Sequence, residues 1–537
     1  MSAAQPQKGA PLLLKGGKVV DGTGNPWFYG DLLIQRGQIT AIGKHLEAPP
    51  GSTTLDVSGF VVTPGFIDIH SHSDLPLFID GSAQSVVRQG VTTQVVGNCG
   101  GWSVPLQGET RRRAENEAKR YGWADPLPWT TIDEYMDVLS SRGISINVGI
   151  LIGHGAVRAK VAGFAARNLT PEELSECKRE VAYAMEKGAL GMSTGLYYAP
   201  GSYAPEDEIV ELSKVVARYD GIHSSHIRDE SDYNVGLIAA IDEVIDIGRK
   251  SGVKTEISHL KCLGPAVWGR SREILTKIEK AREEGIDVTA DQYPYVASGS
   301  SITGALIPRW AQEGTREDLV ARLRDPVTRM KIRAEVEKNL RRRGGPDRLY
   351  IASYSAEPRY AGLHLGQVAR ELGLEPEEAA LYLLEKQDAS FVSFVMDEND
   401  VKTIMQAPFI MVASDGWALS KEGPLGEGHP HPRSFGTFVR VISKYALSEK
   451  LITLEEAVRK MTSFPAGRLG IKDRGLLKPG FKADVVVFDP LTIKDTATFE
   501  APKMYPSGIK YVLVNGVITV KDGEHTGEKA GTVLKKT

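Results

Sequence analysis

The strongest constraint on this chain is a unit that recurs between about residue 60 and residue 420. A polar and apolar helical stretch ends in glycine, and a short β-branched run follows with a His, Cys or Asp at its far end. Glycine tolerates the left-handed conformation that closes a helix. It stands at Gly90 after SAQSVVRQ, Gly143 after DEYMDVLSSR, Gly188 after KREVAYAMEK, Gly221 after VVARYD, Gly252 after IDIGRKS and Gly285 after IEKAREE. The runs that follow read VTTQVVGNC, ISINVGILIGH, ALGMSTG, IHSSHIR, VKTEISHLK and DVTADQYPY; FVVTPGFIDIHSH precedes the first unit and FIMVASD closes the series. Eight strands alternating with helices predict an α/β fold, a (β/α)8 TIM-like barrel. No Gly-rich phosphate fingerprint opens any of these helices, as a doubly wound dinucleotide-binding sheet would require.

The two ends of the chain differ in texture. Residues 11–60 and 474–520 are short alternating strands with turn glycines. Neither is large enough to bury a core alone, so one small β-domain built from residues 1–62 and 470–537 is expected beside a barrel of residues 63–469. Part of the long stretch between the seventh and eighth runs, about 297–352, is rich in Arg and Glu and predicts a helical insertion near the barrel mouth. The RRR runs at 111–113 and 341–343 read as solvated helix surface.

Charge narrows the partners: 65 Lys and Arg against 68 Asp and Glu leave −3. With no basic excess there is no electrostatic footprint for nucleic acid or for an anionic membrane, and no apolar run is long enough to span a bilayer. The first residues, MSAAQPQKGA, lack the apolar core of a signal peptide, although a processed exported chain would look the same. The cysteines are Cys99, Cys177 and Cys262, too few for a disulfide scaffold. They point to a reducing, cytoplasmic setting or to a metal-binding thiolate.

The polar residues gather at one end of the strands. His70 and His72 close the first, Cys99 the second, His226 the fifth, His259 the sixth and Asp415 the eighth, all at the C-terminal ends where β/α barrels build their sites. Side-chain alternation puts Asp68, His70 and His72 on one face, Ser224, His226 and Arg228 on one, Ile257, His259 and Lys261 on one, and Asp291, Tyr293 and Tyr295 on one. His223 has the opposite parity to His226 and is expected against a helix. Cys177 and Cys262 read as buried apolar thiols. Four imidazoles, a thiol and a carboxylate converging without a ligand would carry a large desolvation cost, whereas all three group types suit Zn²⁺. The cluster therefore predicts a metal site.

Several segments together, FVVTPGFIDIHSHSD, GVTTQVVGNCG, GALGMSTGLYYAPGSYA, SSHIRDE, EISHLKCLGPAVWGRS, DQYPYVASGSS, VASDG and HPHPRSFGTFVRV, resemble the D-aminoacylase (N-acyl-D-amino-acid deacylase) branch of the amidohydrolase superfamily. The resemblance runs through nearly the whole chain. The H-x-H motif marks only the superfamily; a Cys at the end of the second strand, together with SH-x-K, D-x-YPY and HPHPR, is much more specific. In this family that Cys stands where many relatives use a carboxylated Lys on the fourth strand, and here the fourth strand reads GMSTG, without Lys. The resemblance implies one tightly held Zn²⁺ on Cys99, His226 and His259, and a second, weaker position completed by His70 and His72 that shares the Cys99 sulfur. It implies Asp415 as the catalytic aspartate, and Lys261, Tyr293 and Arg433 as the groups that hold a substrate carboxylate. His154, in GHGAVR, also matches the family, and is expected to support or line the pocket.

The implied activity is zinc-dependent hydrolysis of the amide bond of N-acyl-D-amino acids, yielding a carboxylic acid and a D-amino acid; the D hand follows from the resemblance alone. Two features depart from the family: Ser258 stands where many members have a second His, and the loop WALSKEGPLGEG separates Asp415 from His429 and leaves the reach of Arg433 open. The alternatives are a related amidohydrolase acting on a dipeptide, lactam or cyclic ureide, and a catalytically inactive scaffold.

Overall fold

The computed structural model describes residues 10–101 and 104–536. Eight strands, β1 (Phe66–Asp68), β2 (Val91–Val96), β3 (Asn147–Gly153), β4 (Gly191–Gly195), β5 (Ile222–His226), β6 (Lys254–Ile257), β7 (Val288–Gln292) and β8 (Ile410–Val412), lie side by side in chain order. Every neighbouring pair is parallel. The sheet closes on itself through a parallel bridge between Ser71 and Gly416. The Asp68 carboxylate reinforces that seam by accepting the Ser414 N–H at 2.9 Å and its hydroxyl at 2.5 Å. Burial pushes the Asp68 carboxyl up to about 6 in spite of these donors.

The helix-end glycines behave as expected at five places: Gly90, Gly143, Gly188, Gly252 and Gly285 all have positive φ. At the sixth the roles separate. Asp220 takes the left-handed conformation, with φ of 54°, and Gly221 instead lets β5 lie close to the preceding helix, since a side-chain carbon there would come within 2.7 Å of Val216 Cγ1.

Both chain ends enter one nine-stranded sheet, joined where Val61–Pro64 pairs antiparallel with Val485–Phe488. Alternate residues of Val485–Phe488 serve two cores. Val485 and Val487 pack with Leu12, Leu32 and Leu513 inside the small domain, whereas Val486 and Phe488 pack with Phe66 of the barrel. An unbroken apolar run is the sequence consequence of burial on both faces.

Between β7 and β8 the insertion is larger than the sequence suggests. Strands Ser298–Ser301, Leu349–Ser353 and Ser390–Ser393 form a separate antiparallel sheet. Its strands share a core with the intervening helices through Ile302, Leu323, Ile332, Val336, Leu349 and Phe391. The expected boundary at about 352 thus falls within Leu349–Ser353, an edge strand of a unit that runs on to its central strand at Ser390–Ser393. Sequence periodicity marked its helices, but the return strand is only SFVS. The arginine run at 341–343 is also not simply solvated: Arg341 is exposed, but Arg343 is 2% exposed. Among the described residues no helix is long and apolar enough to cross a membrane.

Candidate metal centre and catalytic site

The residues expected at the strand ends meet at the mouth of the barrel. Cys99 Sγ lies 3.4 Å from His70 Nε2, 3.5 Å from His226 Nδ1 and 3.5 Å from His259 Nε2. Cys99, His259 and Asp415 all have positive φ, at 54°, 37° and 49°. The strands therefore end in left-handed turns that redirect the side chains into the mouth, at a cost in backbone strain that tertiary packing must hold. For Cys99 the packing is visible: the Gly100 N–H donates to Ser193 Oγ of β4 at 3.0 Å, and a Cβ on Gly195 would collide with the Cys99 carbonyl.

The donor set fits a metal ion. Bonds of about 2.3 Å to sulfur and about 2.0–2.1 Å to nitrogen, set at a tetrahedral angle, put the two atoms about 3.6 Å apart, close to the three Cys99 separations. Three groupings bring their ligand atoms within 4.8 Å of one another: His70, Cys99 and His259; His70, His72 and Asp415; and His226, Glu230 and His259. Cys99, His226 and His259 are joined through the sulfur, which touches both imidazoles. Burial pushes the Cys99 thiol up, with Asp415 adding to it, and burial pushes His226 and His259 down. Protein groups alone thus favour a neutral thiol and neutral imidazoles, and a bound cation is what would convert the thiol to thiolate.

Asp415 is held from two sides. His72 Nε2 donates to Oδ1 at 2.9 Å, and Arg433 Nη1 donates to Oδ2 at 2.6 Å. Burial alone would raise this carboxyl; Arg433, His259, His72 and His70 outweigh it and hold Asp415 well below the usual carboxylate range. The long loop does fold back. His429 Nε2 donates to the Phe499 carbonyl at 2.6 Å and His431 Nε2 to that of Ala297 at 2.9 Å, while His431 Nδ1 accepts the Arg433 N–H at 3.0 Å. These bonds set Arg433, 1% exposed, 4.8 Å from the Tyr293 ring. Arg433 Nε and the Tyr293 hydroxyl are both buried without a partner.

Lys261 reaches the same wall, 5.5 Å from the Tyr293 ring, but it already has a partner: its ammonium donates to Glu230, and it lies 2.8 Å from His259 Nδ1. Glu230 was not singled out from the sequence. It lies four residues beyond His226 in SSHIRDE, and its carboxylate is 3.0 Å from His259 Nδ1. Asp291 was noted only for its parity; it accepts the His259 N–H at 2.8 Å and lies 3.5 Å from His70 Nδ1. Carboxylates behind ring nitrogens orient imidazole ligands. His154 is buried with its Nε2 on Glu208 at 2.9 Å, and His223 is buried with Nε2 on Thr194 Oγ1 at 3.0 Å. Cys177 and Cys262 are buried thiols that burial pushes up to about 12.

A barrel of parallel strands whose C-terminal ends gather imidazoles, a thiol and a carboxylate defines a metal-dependent hydrolase of amide bonds. The chain belongs to the amidohydrolase family, whose model matches residues 53–520. It is 37% identical over 512 residues, 95% of this chain and 93% of the other, to an N-acyl-D-glutamate deacylase of Alcaligenes xylosoxydans xylosoxydans. Among solved structures, an N-acyl-D-glutamate deacylase from Bordetella bronchiseptica, complexed with zinc and a phosphonate mimic of the tetrahedral intermediate, superposes with a TM-score of 0.82 at 35% identity, covering 98% and 99% of the two chains. A D-aminoacylase described for its binuclear metal centre, with one-metal activation and second-metal attenuation, superposes with a TM-score of 0.81 at 32% identity over the same shares.

Proposed function

We propose that this chain hydrolyses the amide bond of N-acyl-D-amino acids with bound zinc, releasing a carboxylic acid and a free D-amino acid. One observation carries the reading furthest: Arg433 Nε and the Tyr293 hydroxyl are two buried donors without partners beside the metal-ligand cluster. A substrate carboxylate would satisfy both. Full-length similarity to deacylases of D-amino acids supports the D hand.

Cys99, His226 and His259 are the proposed ligands of a tight site, and His70 and His72 those of a second position sharing the sulfur. When bound, zinc supplies Lewis-acid polarisation of the amide carbonyl and acidifies water. Asp415 accepts the proton of the attacking water and delivers it to the leaving nitrogen. Arg433 keeps it ionised, the form that can accept a proton, at the cost of some basicity. Arg433 can serve both partners, because a guanidinium has five N–H donors and Asp415 occupies one terminal nitrogen. Glu230 neutralises Lys261 in the free enzyme, so Lys261 binds substrate as part of an ion triad. The cysteines are all free, in keeping with a cytoplasmic setting.

The test is release of amine from paired N-acetyl-D- and N-acetyl-L-amino acids by the zinc-loaded protein. Turnover of D substrates is expected; turnover confined to L substrates, or to cyclic amides, overturns the proposal.

A further inference from the structure

The strands Val485–Phe488 and Ile509–Val514 of the small β-domain are antiparallel neighbours. A turn of about two to five residues would join such a pair, yet residues 489–508 lie between them. The excess forms an arm whose base is closed. Lys494 and Ser507 exchange backbone hydrogen bonds of 3.2 and 3.1 Å, and the Thr496 hydroxyl donates to the Tyr505 carbonyl at 2.7 Å. Long ordered connections in compact domains are commonly kept for what they reach.

This arm reaches the long loop in front of Arg433, and Phe499 leads it. The Phe499 carbonyl accepts the His429 Nε2–H, and its ring lies 5.1 Å from that of His431, 4.7 Å from Phe394 of the insertion and 6.2 Å from Tyr295 beyond β7. Further along the arm, the Tyr505 hydroxyl accepts the Lys421 N–H at 3.1 Å, and Lys503 Nζ donates to the Gly426 carbonyl. The loop has little of its own to fix it: from Trp417 to Pro432 its helical structure amounts to one short turn, Pro424–Gly426. The arm also grips the chain that follows. In the helix Arg433–Arg440, Arg440 Nη1 donates to Asp495 at 3.3 Å, and a Cβ on Gly436 would come within 2.1 Å of Asp495 Oδ1. Arg433 thus stands between two stretches that the arm holds.

We propose that this arm is a positioning element of the substrate site, with Phe499 setting the reach of Arg433 through His429 and His431. The inference rests on the deacylase reading, in which Arg433 holds the substrate carboxylate, and it gives the terminal β-domain a share in substrate binding without contact. The route is short: Phe499 packs on His431, whose Nδ1 accepts the Arg433 N–H. Small shifts matter at such a site, because a displacement of about 1 Å can lower a rate by about 10²-fold.

The experiment is a double-mutant cycle on the zinc-loaded protein. It compares kcat/KM for the N-acetyl-D-amino acid that wild type cleaves fastest with that for its α-carboxamide. Phe499→Ala should lose roughly 5- to 30-fold on the free acid and change within about threefold on the carboxamide, with zinc content unchanged. In the Arg433→Met background the same substitution should change kcat/KM within about twofold, because the residue it acts through is gone. Full losses from both substitutions in the double variant, or equal losses on acid and carboxamide, overturn the inference and leave the deacylase reading in place. Absence of turnover on every D substrate sinks that reading, and this inference with it. Should Phe499→Ala fail to fold, His429 decides. His429→Leu should reproduce the loss on the free acid, and His429→Gln, which keeps an N–H donor, should recover most of it. A His429→Leu variant that matches wild type, or a His429→Gln variant as impaired as His429→Leu, overturns the proposal.

Discussion

Two sets of residues near the mouth have different origins. One is His70, Cys99, His226, His259 and Asp415, each at or just beyond the end of a barrel strand. The other is Arg309 and Arg343, carried by an insertion with its own sheet and core. Strand-end groups are fixed by the barrel itself, so their spacing survives only if eight strands keep register. Insertion groups depend on how a second packed unit is seated. Chemistry that needs fixed atoms is served by the first set, and the second can vary without disturbing it. This is a division that β/α barrels commonly exploit by varying their loops.

The sharpest way to break this division is at Cys99. Cys99→Ala removes the sulfur that touches three imidazoles; the tight zinc and nearly all activity should be lost, because neutral imidazoles alone hold the metal poorly. Metal analysis of the purified variant checks this, and an unchanged zinc content would remove Cys99 from the ligand set. Next in size is Asp415→Asn, which should keep the metal while kcat falls by a factor on the order of 10² or more, since an amide cannot carry the proton. Wild-type turnover would place the base elsewhere.

Arg433→Met tests whether one residue serves both binding and proton transfer. Free-carboxylate substrates should lose roughly 10- to 150-fold in kcat/KM. Asp415 also loses the cation that depresses it, so the acid limb of the kcat/KM profile should move to higher pH, even for carboxamide substrates. A normal pH limb with the loss confined to acids would mean that Arg433 reads substrate without tuning Asp415.

The smallest effect on catalysis is expected at His223, three residues before His226 on the same strand but of opposite parity. Burial, with His154 adding to it, lowers His223 to about 3. With the folded value below the unfolded value near 6.5, this group contributes stability that is present above about 6.5 and lost as pH falls toward about 3. His223→Gln should reduce the dependence of unfolding free energy on pH by up to about 1.4 kcal/mol per unit in that window, with activity at pH 7.5 nearly unchanged. Denaturant titrations at several pH values decide it, and an unaltered slope would mean that His223 is charged when folded.

The eight strands, their order and the face carrying each strand-end His, Cys and Asp were legible because alternation and the helix-end glycines are local signals, and a parallel barrel converts chain order directly into neighbours. Parity alone separated His226 from His223. The buried surroundings of Glu230, Asp291 and Arg343 were not legible. A carboxylate in SSHIRDE or an arginine in a charged run has the same local pattern whether it faces water or a buried partner. The reach of Arg433 likewise depended on His429 and His431 finding carbonyls at Phe499 and Ala297, distant in sequence. Sequence by itself determined which groups end the strands, because backbone periodicity dictates side-chain direction. Only the tertiary structure decided which charges are paired, because burial and long-range hydrogen bonds are properties of how separate segments pack.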